Sequence, residues 1–126
     1  MGDKVRVYRW TELPREQVRP GVSRAGFRGD NALMVMNWLE PGMEVRPHSH
    51  PFEQLAFIVE GRVRFTVGDE VVEVGAGEVL RIPPDVVHSG EAIGGTALNL
   101  DVFAPVRDDY RHLTAYQEPD FEKEKG

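Results

Sequence analysis

Three histidines and a glutamine stand at spacings that could build a metal site. His48 and His50 are separated by one residue, so in an extended segment both side chains leave the same face of the strand. Gln54 faces that side too, provided that the strand continues through Pro51 without a bulge. His88 would come from a second segment. Imidazoles from two neighbouring segments can bind one side of a metal ion at about 2.1 Å, so we predict that the three histidines share one.

The alternative is that His48 and His50 are a chance surface pair, which is common for an isolated His-x-His. The chain has no cysteine, so histidine, carboxylate, amide or water must supply the ligands of any metal. The fourth histidine, His112, lies in a polar C-terminal segment, and we expect it to be solvated.

Frequent turns and short apolar runs favour an all-β fold. The 126 residues include 13 Gly and 9 Pro, which suit tight turns more than long helices. We predict strands at residues 5–10, 22–27, 33–39, 55–59, 63–67, 71–74, 79–82, 86–89 and 97–103. We expect one domain over residues 1–126, with a barrel core at about 30–106 and an irregular or helical tail at 107–126, frayed at its end.

The charge balance and the N-terminus exclude several classes of partner. The formal net charge is −6, with 21 acidic and 15 basic residues and no basic stripe, so we expect no nucleic acid partner. The N-terminal residues lack the apolar core of a secretion signal, and no stretch approaches the roughly 18 apolar residues of a membrane span. We therefore expect no membrane partner and a cytoplasmic location.

Two motifs resemble the paired motifs of cupins. The first reads Gly42-x5-His48-x-His50-x3-Gln54-x6-Gly61. The second reads Gly77-x5-Pro83-x-Asp85-x2-His88. Cupins usually have Glu at the position of Gln54, Gly at that of Asp85 and Asn at that of Ala92. The resemblance implies a double-stranded β-helix, a small jelly-roll barrel, with one divalent metal ion inside it.

Glutamine in place of glutamate changes the expected chemistry. Three neutral imidazoles and an amide oxygen would leave a divalent ion its full positive charge, which favours Lewis-acid work over oxygen activation. An octahedral ion with four protein ligands would keep two positions for a substrate. Ni²⁺, Zn²⁺, Mn²⁺, Fe²⁺ and Co²⁺ all accept this ligand set.

The predicted strand at residues 97–103 has one polar face. Asn99, Asp101 and Phe103 share that face, whereas Leu98, Leu100 and Val102 share the other. A carboxylate and an amide are costly on a dry face, which suggests a wetted cavity. The alternative is that this face is the solvent-exposed outside of a sandwich. Arg107 follows, and it could reach the cavity mouth or pair with Asp108 or Asp109.

A closer resemblance rests on two stretches, HSHPFEQ at residues 48–54 and LDVFAPVRDDY at residues 100–110. Together they are similar to the small pectin-degradation cupins of the KdgF group. The resemblance implies conversion of a 4,5-unsaturated uronate, an acidic small molecule, into its linear keto form, and a homodimer. It implies these metal ligands and active-site residues: His48, His50, Gln54 and His88; Asp101, Phe103 and Arg107.

Each active-site residue has an expected role. Asp101 would move the proton, Arg107 would clamp the uronate carboxylate with two hydrogen bonds, and Phe103 would pack on the sugar ring. On this view, replacing Asp101 with Asn lowers turnover and leaves the metal content intact.

Two other functions stay open. A metal-dependent dioxygenase or an isomerase of another small acid would use the same ligands, and oxygen consumption by an iron-loaded sample would reveal the former. A non-catalytic cupin would bind its small molecule without turning it over.

Overall fold

The structure, a computed structural model, describes residues 5–118 and folds nine strands into two antiparallel sheets. The larger sheet has the order β1-β2-β3-β9-β4-β7, and the smaller has the order β6-β5-β8. The strands are β1 Glu16–Arg19, β2 Val22–Arg28, β3 Leu33–Leu39, β4 Gln54–Glu60, β5 Arg62–Val67, β6 Glu70–Gly75, β7 Val79–Ile82, β8 His88–Ala92 and β9 Ala97–Phe103. The all-β prediction is confirmed.

Strand β4 shows how the sequence directs side chains into the barrel. Gln54, Ala56 and Ile58 are buried, while the residues between them are exposed. This alternation is the two-residue period of a strand with one covered face. Apolar side chains from the inner faces of both sheets form the main core: Val22, Leu39, Ala56, Ile58, Val63, Phe65, Val74, Ile82, Ala92 and Ala97.

Two turns depend on residues of the paired motifs. Gly61 joins β4 to β5 with φ +79°, and a Cβ there would lie 2.6 Å from the carbonyl oxygen of Thr96, so only glycine fits. Asp85 has φ 64°, a left-handed conformation that aspartate tolerates better than most residues. Its backbone N–H donates to the His50 carbonyl at 2.8 Å. Asp85 therefore takes the conformation for which this motif usually has glycine.

The N-terminal strand prediction is wrong. Residues 5–9 form no strand, and a short 3₁₀ helix, η1, covers Trp10–Glu12. Val5 is 97% exposed and Val7 is 91% exposed, so their β-branched side chains find no neighbouring strand to pack against. The edge strand β1 was not predicted because its sequence, EQVR, is polar. Strands β1 and β2 both belong to the larger sheet, which therefore begins before residue 30, the expected start of the barrel core.

A ten-residue 3₁₀ helix, η2, follows the last strand at Asp108–Gln117. It matches the predicted irregular or helical tail, whose expected frayed end lies outside the described residues. Leu113 of η2 is 4% exposed and packs beside Leu33, Val35 and Phe103 in a second core cluster. Within residues 5–118, no helix has the length and apolar character needed to cross a membrane. The single domain and the cytoplasmic location stay predictions.

Candidate metal centre

Two chain segments bring the predicted ligands together. His48 and His88 form an isolated backbone bridge, with N–H···O distances of 2.9 and 2.8 Å. The chain bends at residues 51–52 before β4 begins at Gln54, so the strand is not continuous through Pro51 and the condition stated for Gln54 is not met. The bend nevertheless turns His50 back towards Gln54, and His50 Nε2 lies 3.1 Å from Gln54 Oε1.

One ring nitrogen of each histidine faces a backbone carbonyl two residues away. The Nδ1 atoms of His48, His50 and His88 lie 3.2, 2.8 and 2.9 Å from the carbonyl oxygens of Arg46, Phe52 and Val86. A carbonyl oxygen only accepts, so each Nδ1 must carry the hydrogen. In the neutral ring the lone pair is then on Nε2, the atom left for a metal.

The three histidine side chains lie close together, with His48 on the solvent-exposed side. One ligand atom from each of His48, His50 and His88 lies within 4.8 Å of the other two. His50 and His88 are buried, and His88 Nε2 has no hydrogen-bond partner among the described residues. A buried acceptor without a partner costs roughly 1–3 kcal/mol. A bound ion would remove this cost.

Gln54 fits the same ion through its amide oxygen. Gln54 Nε2 donates to Asp101 Oδ1 at 2.8 Å, which turns Oε1 towards His50 Nε2. Two lone pairs 3.1 Å apart repel each other unless a proton on His50 or a metal ion lies between them. Adjacent ligands of an octahedral ion with bonds of about 2.1 Å are separated by about 3.0 Å. A bound metal ion would also satisfy His88 Nε2, whereas a proton on His50 would leave that atom without a partner. The residues therefore fit a divalent ion.

Asp101 holds Gln54 in place from behind. Its Oδ1 accepts from Gln54 and from Asn99 at 2.9 Å, and its Oδ2 accepts from Asn37 at 3.0 Å. Burial raises the pKa of Asp101 to about 6, although these hydrogen bonds oppose the rise. A carboxylate therefore lies one hydrogen bond away from the amide ligand, where its negative charge would compensate part of the charge of a bound ion. This corrects the expectation that a divalent ion would keep its full positive charge.

His48 and His88 are poised as neutral ligands. Desolvation of the rings lowers the pKa of His48 and of His88, and the charges of neighbouring histidines and of Arg107 lower both further. A histidine with a lowered pKa is deprotonated at neutral pH, which is the form that binds metal.

The polar face of β9 points into the barrel. Asn99 and Phe103 are 5% and 2% exposed, and with Asp101 they line a cavity that also reaches His48 and His88. The alternative, in which this face is the solvent-exposed outside, is wrong. Phe103 packs edge-on against the ring of His50, with ring centroids 5.8 Å apart.

Arg107 does not hold the position expected of a two-pronged clamp. Its Nε and Nη2 donate to Asp109 at 3.0 and 2.6 Å, so the planar fork already binds a carboxylate. The guanidinium is buried against the rings of Phe52, Phe103 and Tyr110, and it is not one of the cavity-lining groups. Nη1 is buried without a hydrogen-bond partner within residues 5–118. Arg107 thus has its Nη1 end free of hydrogen bonds within the described residues, but it does not face the cavity.

Arg24 and Asn37 are among the cavity residues that were missed from the sequence. Both lie on inner faces of the larger sheet, paired across β2 and β3. Asn37 interrupts the apolar run at residues 33–39, and this interruption was a signal that the sequence carried. The partner of Asn37, Asp101, is 64 residues away, so the contact could not be read from spacing.

Comparison with known proteins places this architecture in a family. Residues 37–103 match the cupin domain. The chain belongs to the cupin family. An uncharacterised protein of Streptomyces coelicolor is 28% identical over 102 residues, which cover 80% of this chain and 97% of that protein.

Solved cupins share the fold. An RmlC-like cupin from Shewanella frigidimarina superposes with a TM-score of 0.75 and 23% identity, covering 85% of this chain and 96% of that chain. KdgF from Halomonas sp. also gives a TM-score of 0.75, with 24% identity over 84% of this chain and 98% of that chain. Likenesses at these identities establish the fold alone.

Proposed function

We propose that this protein is a metal-dependent enzyme that converts 4,5-unsaturated uronates into their linear keto form. The observation that carries the proposal is the convergence of three histidine rings, the Gln54 amide oxygen and the Asp101 carboxylate on one cavity. The resemblance of residues 48–54 and 100–110 to the KdgF group supports the choice of substrate, as does the fold shared with KdgF from Halomonas sp..

The ligand set suits one divalent ion of the Ni²⁺, Zn²⁺, Mn²⁺, Fe²⁺ and Co²⁺ group. His48, His50 and His88 would hold it through Nε2, and Gln54 through Oε1. When bound, such an ion supplies Lewis-acid stabilisation of negative charge on a substrate oxygen.

Asp101 is the residue we assign to proton transfer. In the cyclic substrate, loss of the proton from the C1 hydroxyl and cleavage of the bond between C1 and the ring oxygen give an aldehyde and an enolate, with the electron pair of the broken bond on the former ring oxygen. The enolate becomes a ketone when C4 gains a proton. Asp101 would take the C1 hydroxyl proton and deliver it to C4. A carboxyl group with a pKa of about 6 can both accept and release a proton near neutral pH.

Phe103 and Arg107 would shape the cavity around the sugar. Phe103 contributes an aromatic edge beside His50. Arg107, which binds Asp109 and packs on the Phe103 ring without lining the cavity, would hold that ring in position.

The test follows the ultraviolet band of the conjugated double bond in a 4,5-unsaturated uronate. The metal-loaded protein should abolish the band, whereas protein from which a chelator has removed the metal should not. Asp101→Asn should lose most of the activity, and Asp108→Asn, which removes an exposed charge of η2, should retain it. Persistence of the band with metal-loaded wild type contradicts the proposal. Oxygen consumption by an iron-loaded sample would favour a dioxygenase instead.

We also propose that the protein forms a homodimer through the outer face of the larger sheet. Leu55, Phe57 and Val59 of β4 are 39, 39 and 37% exposed, and Val79 of β7, whose strand pairs with β4, is 67% exposed. A row of exposed apolar side chains on neighbouring strands is typical of an interface. Light scattering of the protein as it elutes from a size-exclusion column should give twice the mass of one chain. The Phe57→Lys variant should give the mass of a single chain. A monomeric wild type refutes the dimer.

A further inference from the structure

A second arginine lines the cavity beside the metal site. Arg24 lies on β2, and its side chain is 17% exposed. Arg24 Nε is buried and has no hydrogen-bond partner in the described part of the chain. A buried charged donor is normally hydrogen-bonded, so this N–H is a place where a ligand oxygen would be favourable.

The surroundings hold the Arg24 guanidinium in position. Nη2 donates to Glu16 Oε1 at 3.2 Å, and the carbon at the centre of the group lies 4.5 Å from the ring centroid of Tyr110. A salt bridge on one side and an aromatic ring on the other reduce the freedom of a long side chain. Arg24 is therefore organised before any ligand arrives.

The sheet register places Arg24 opposite the polar row of the site. Arg24 pairs with Asn37 of β3, and Asn37 pairs with Asn99 of β9. With strands about 4.8 Å apart, the backbones of Arg24 and Asn99 are separated by about 10 Å. Asn37 also donates to Asp101. The lining of the cavity thus includes both a cation, Arg24, and the histidines His48 and His88.

The other arginines near the site are less available. Arg107 binds Asp109 through its fork and does not line the cavity. Arg19 lines the cavity, but its Nε donates to the carbonyl of Glu44 at 2.7 Å. Of the arginines that line this cavity within residues 5–118, Arg24 is the one with an unpartnered, buried Nε.

We propose that Arg24 recognises the carboxylate of the ligand, donating from Nε while other oxygens of the same ligand face the histidines. The inference rests on the proposed function, since it names the residue that selects an acidic sugar over a neutral one. A guanidinium prefers a carboxylate oxygen to a hydroxyl group because the hydrogen bond is charge-assisted.

Calorimetric titration of the zinc-loaded protein with D-galacturonate and D-galactose tests this role, because the two sugars differ in the carboxylate. Wild type should bind galacturonate more tightly. Arg24→Gln should weaken galacturonate binding roughly 10-fold to 100-fold and leave galactose binding unchanged. Arg24→Lys keeps the charge but loses the Nε donor, so it should lose part of the affinity.

Arg15→Gln is the matched control. Arg15 is exposed, its Nε donates to Ser23 Oγ, and its Cζ lies 4.0 Å from the ring centroid of Trp38. Its replacement removes the same charge from a position that does not line the cavity. Melting temperatures of all variants verify folding, and the lysine variant serves if the glutamine variant does not fold.

Equal galacturonate affinity in wild type and in Arg24→Gln, or in Arg24→Lys if that variant alone folds, overturns the proposal. So does a wild type without preference between the two sugars. The proposed ketonisation fails separately, through persistence of the ultraviolet band, and that result leaves the binding comparison readable.

Discussion

Replacing Asp101 with Asn should raise the free energy of unfolding of the metal-free protein and lower its affinity for metal. The folded protein raises the pKa of Asp101 from 3.8 to about 6, so the folded state binds this proton more tightly than the unfolded chain does. The ionised carboxylate therefore lowers stability above about pH 6, and this loss is relieved as the pH falls towards 3.8.

The size of the stability effect follows from the same values. The difference between about 6 and 3.8 corresponds to about 3 kcal/mol for a fully buried group. Asp101 is half-buried in a cavity wall that water can reach, so we expect about 1–3 kcal/mol. Neutral asparagine avoids this cost, and the metal-free variant should be more stable than wild type at neutral pH by that amount. The two proteins should converge below about pH 4.

Metal affinity should move in the opposite direction. Asparagine takes away the charged acceptor that turns the Gln54 amide, and loss of such a supporting group lowers metal affinity about 10-fold to 100-fold, or about 1.4–2.8 kcal/mol. The expectation from the sequence alone, an intact metal content, is thereby replaced.

Two measurements on each protein give the result. Urea unfolding of the metal-free form measures the free energy of unfolding, and calorimetry with Zn²⁺ measures affinity. Asp108→Asn controls for loss of one negative charge and should change neither. Wild-type zinc affinity in Asp101→Asn, or a less stable metal-free variant at neutral pH, would refute the reasoning.

Three further predictions concern the ligands. His88→Ala should abolish tight zinc binding measured by calorimetry, whereas His112→Ala, whose ring lies against Glu16, should bind zinc as wild type does. Zinc affinity should hold as the pH falls to 6.5 and decline below it, because desolvation lowers the pKa of His48 and His88 from 6.5; a decline that starts well above 6.5 contradicts this. Gln54→Glu replaces an amide donor with a second carboxylate beside Asp101, so the metal-free form should lose roughly 1–3 kcal/mol of stability at neutral pH. Zinc should restore it, and an unaltered unfolding curve would refute the assignment.

Local pattern was enough to predict most of the strands that enclose the site, although it missed β1, whose Arg19 lines the cavity. The alternation through β4 and the parity of Asn99, Asp101 and Phe103 in β9 follow from the two-residue period, and the structure places these side chains inside. The paired motifs predicted that His48 and His88 would meet, although they are 40 positions apart in the sequence and only their backbone bridge brings them together.

The partners of several individual side chains could not be predicted from the sequence. The sequence allowed the guanidinium of Arg107 to bind either a substrate or the nearby Asp109, and composition does not decide between these partners. The structure pairs it with Asp109. Val5 and Val7 have high strand propensity, but a strand needs a paired neighbour, which the sequence does not specify. The bond between Gln54 and Asp101 joins two strands whose register only the fold determines.

The metal site is tested most directly by nitrogen NMR of the histidine side chains before and after addition of Zn²⁺ to the metal-free protein. His48, His50 and His88 should show the form protonated on Nδ1, as their carbonyl contacts require. One equivalent of zinc should shift Nε2 of these three rings and leave His112 unchanged. Rings protonated on Nε2, or a zinc response that includes His112 and omits His88, would contradict the account.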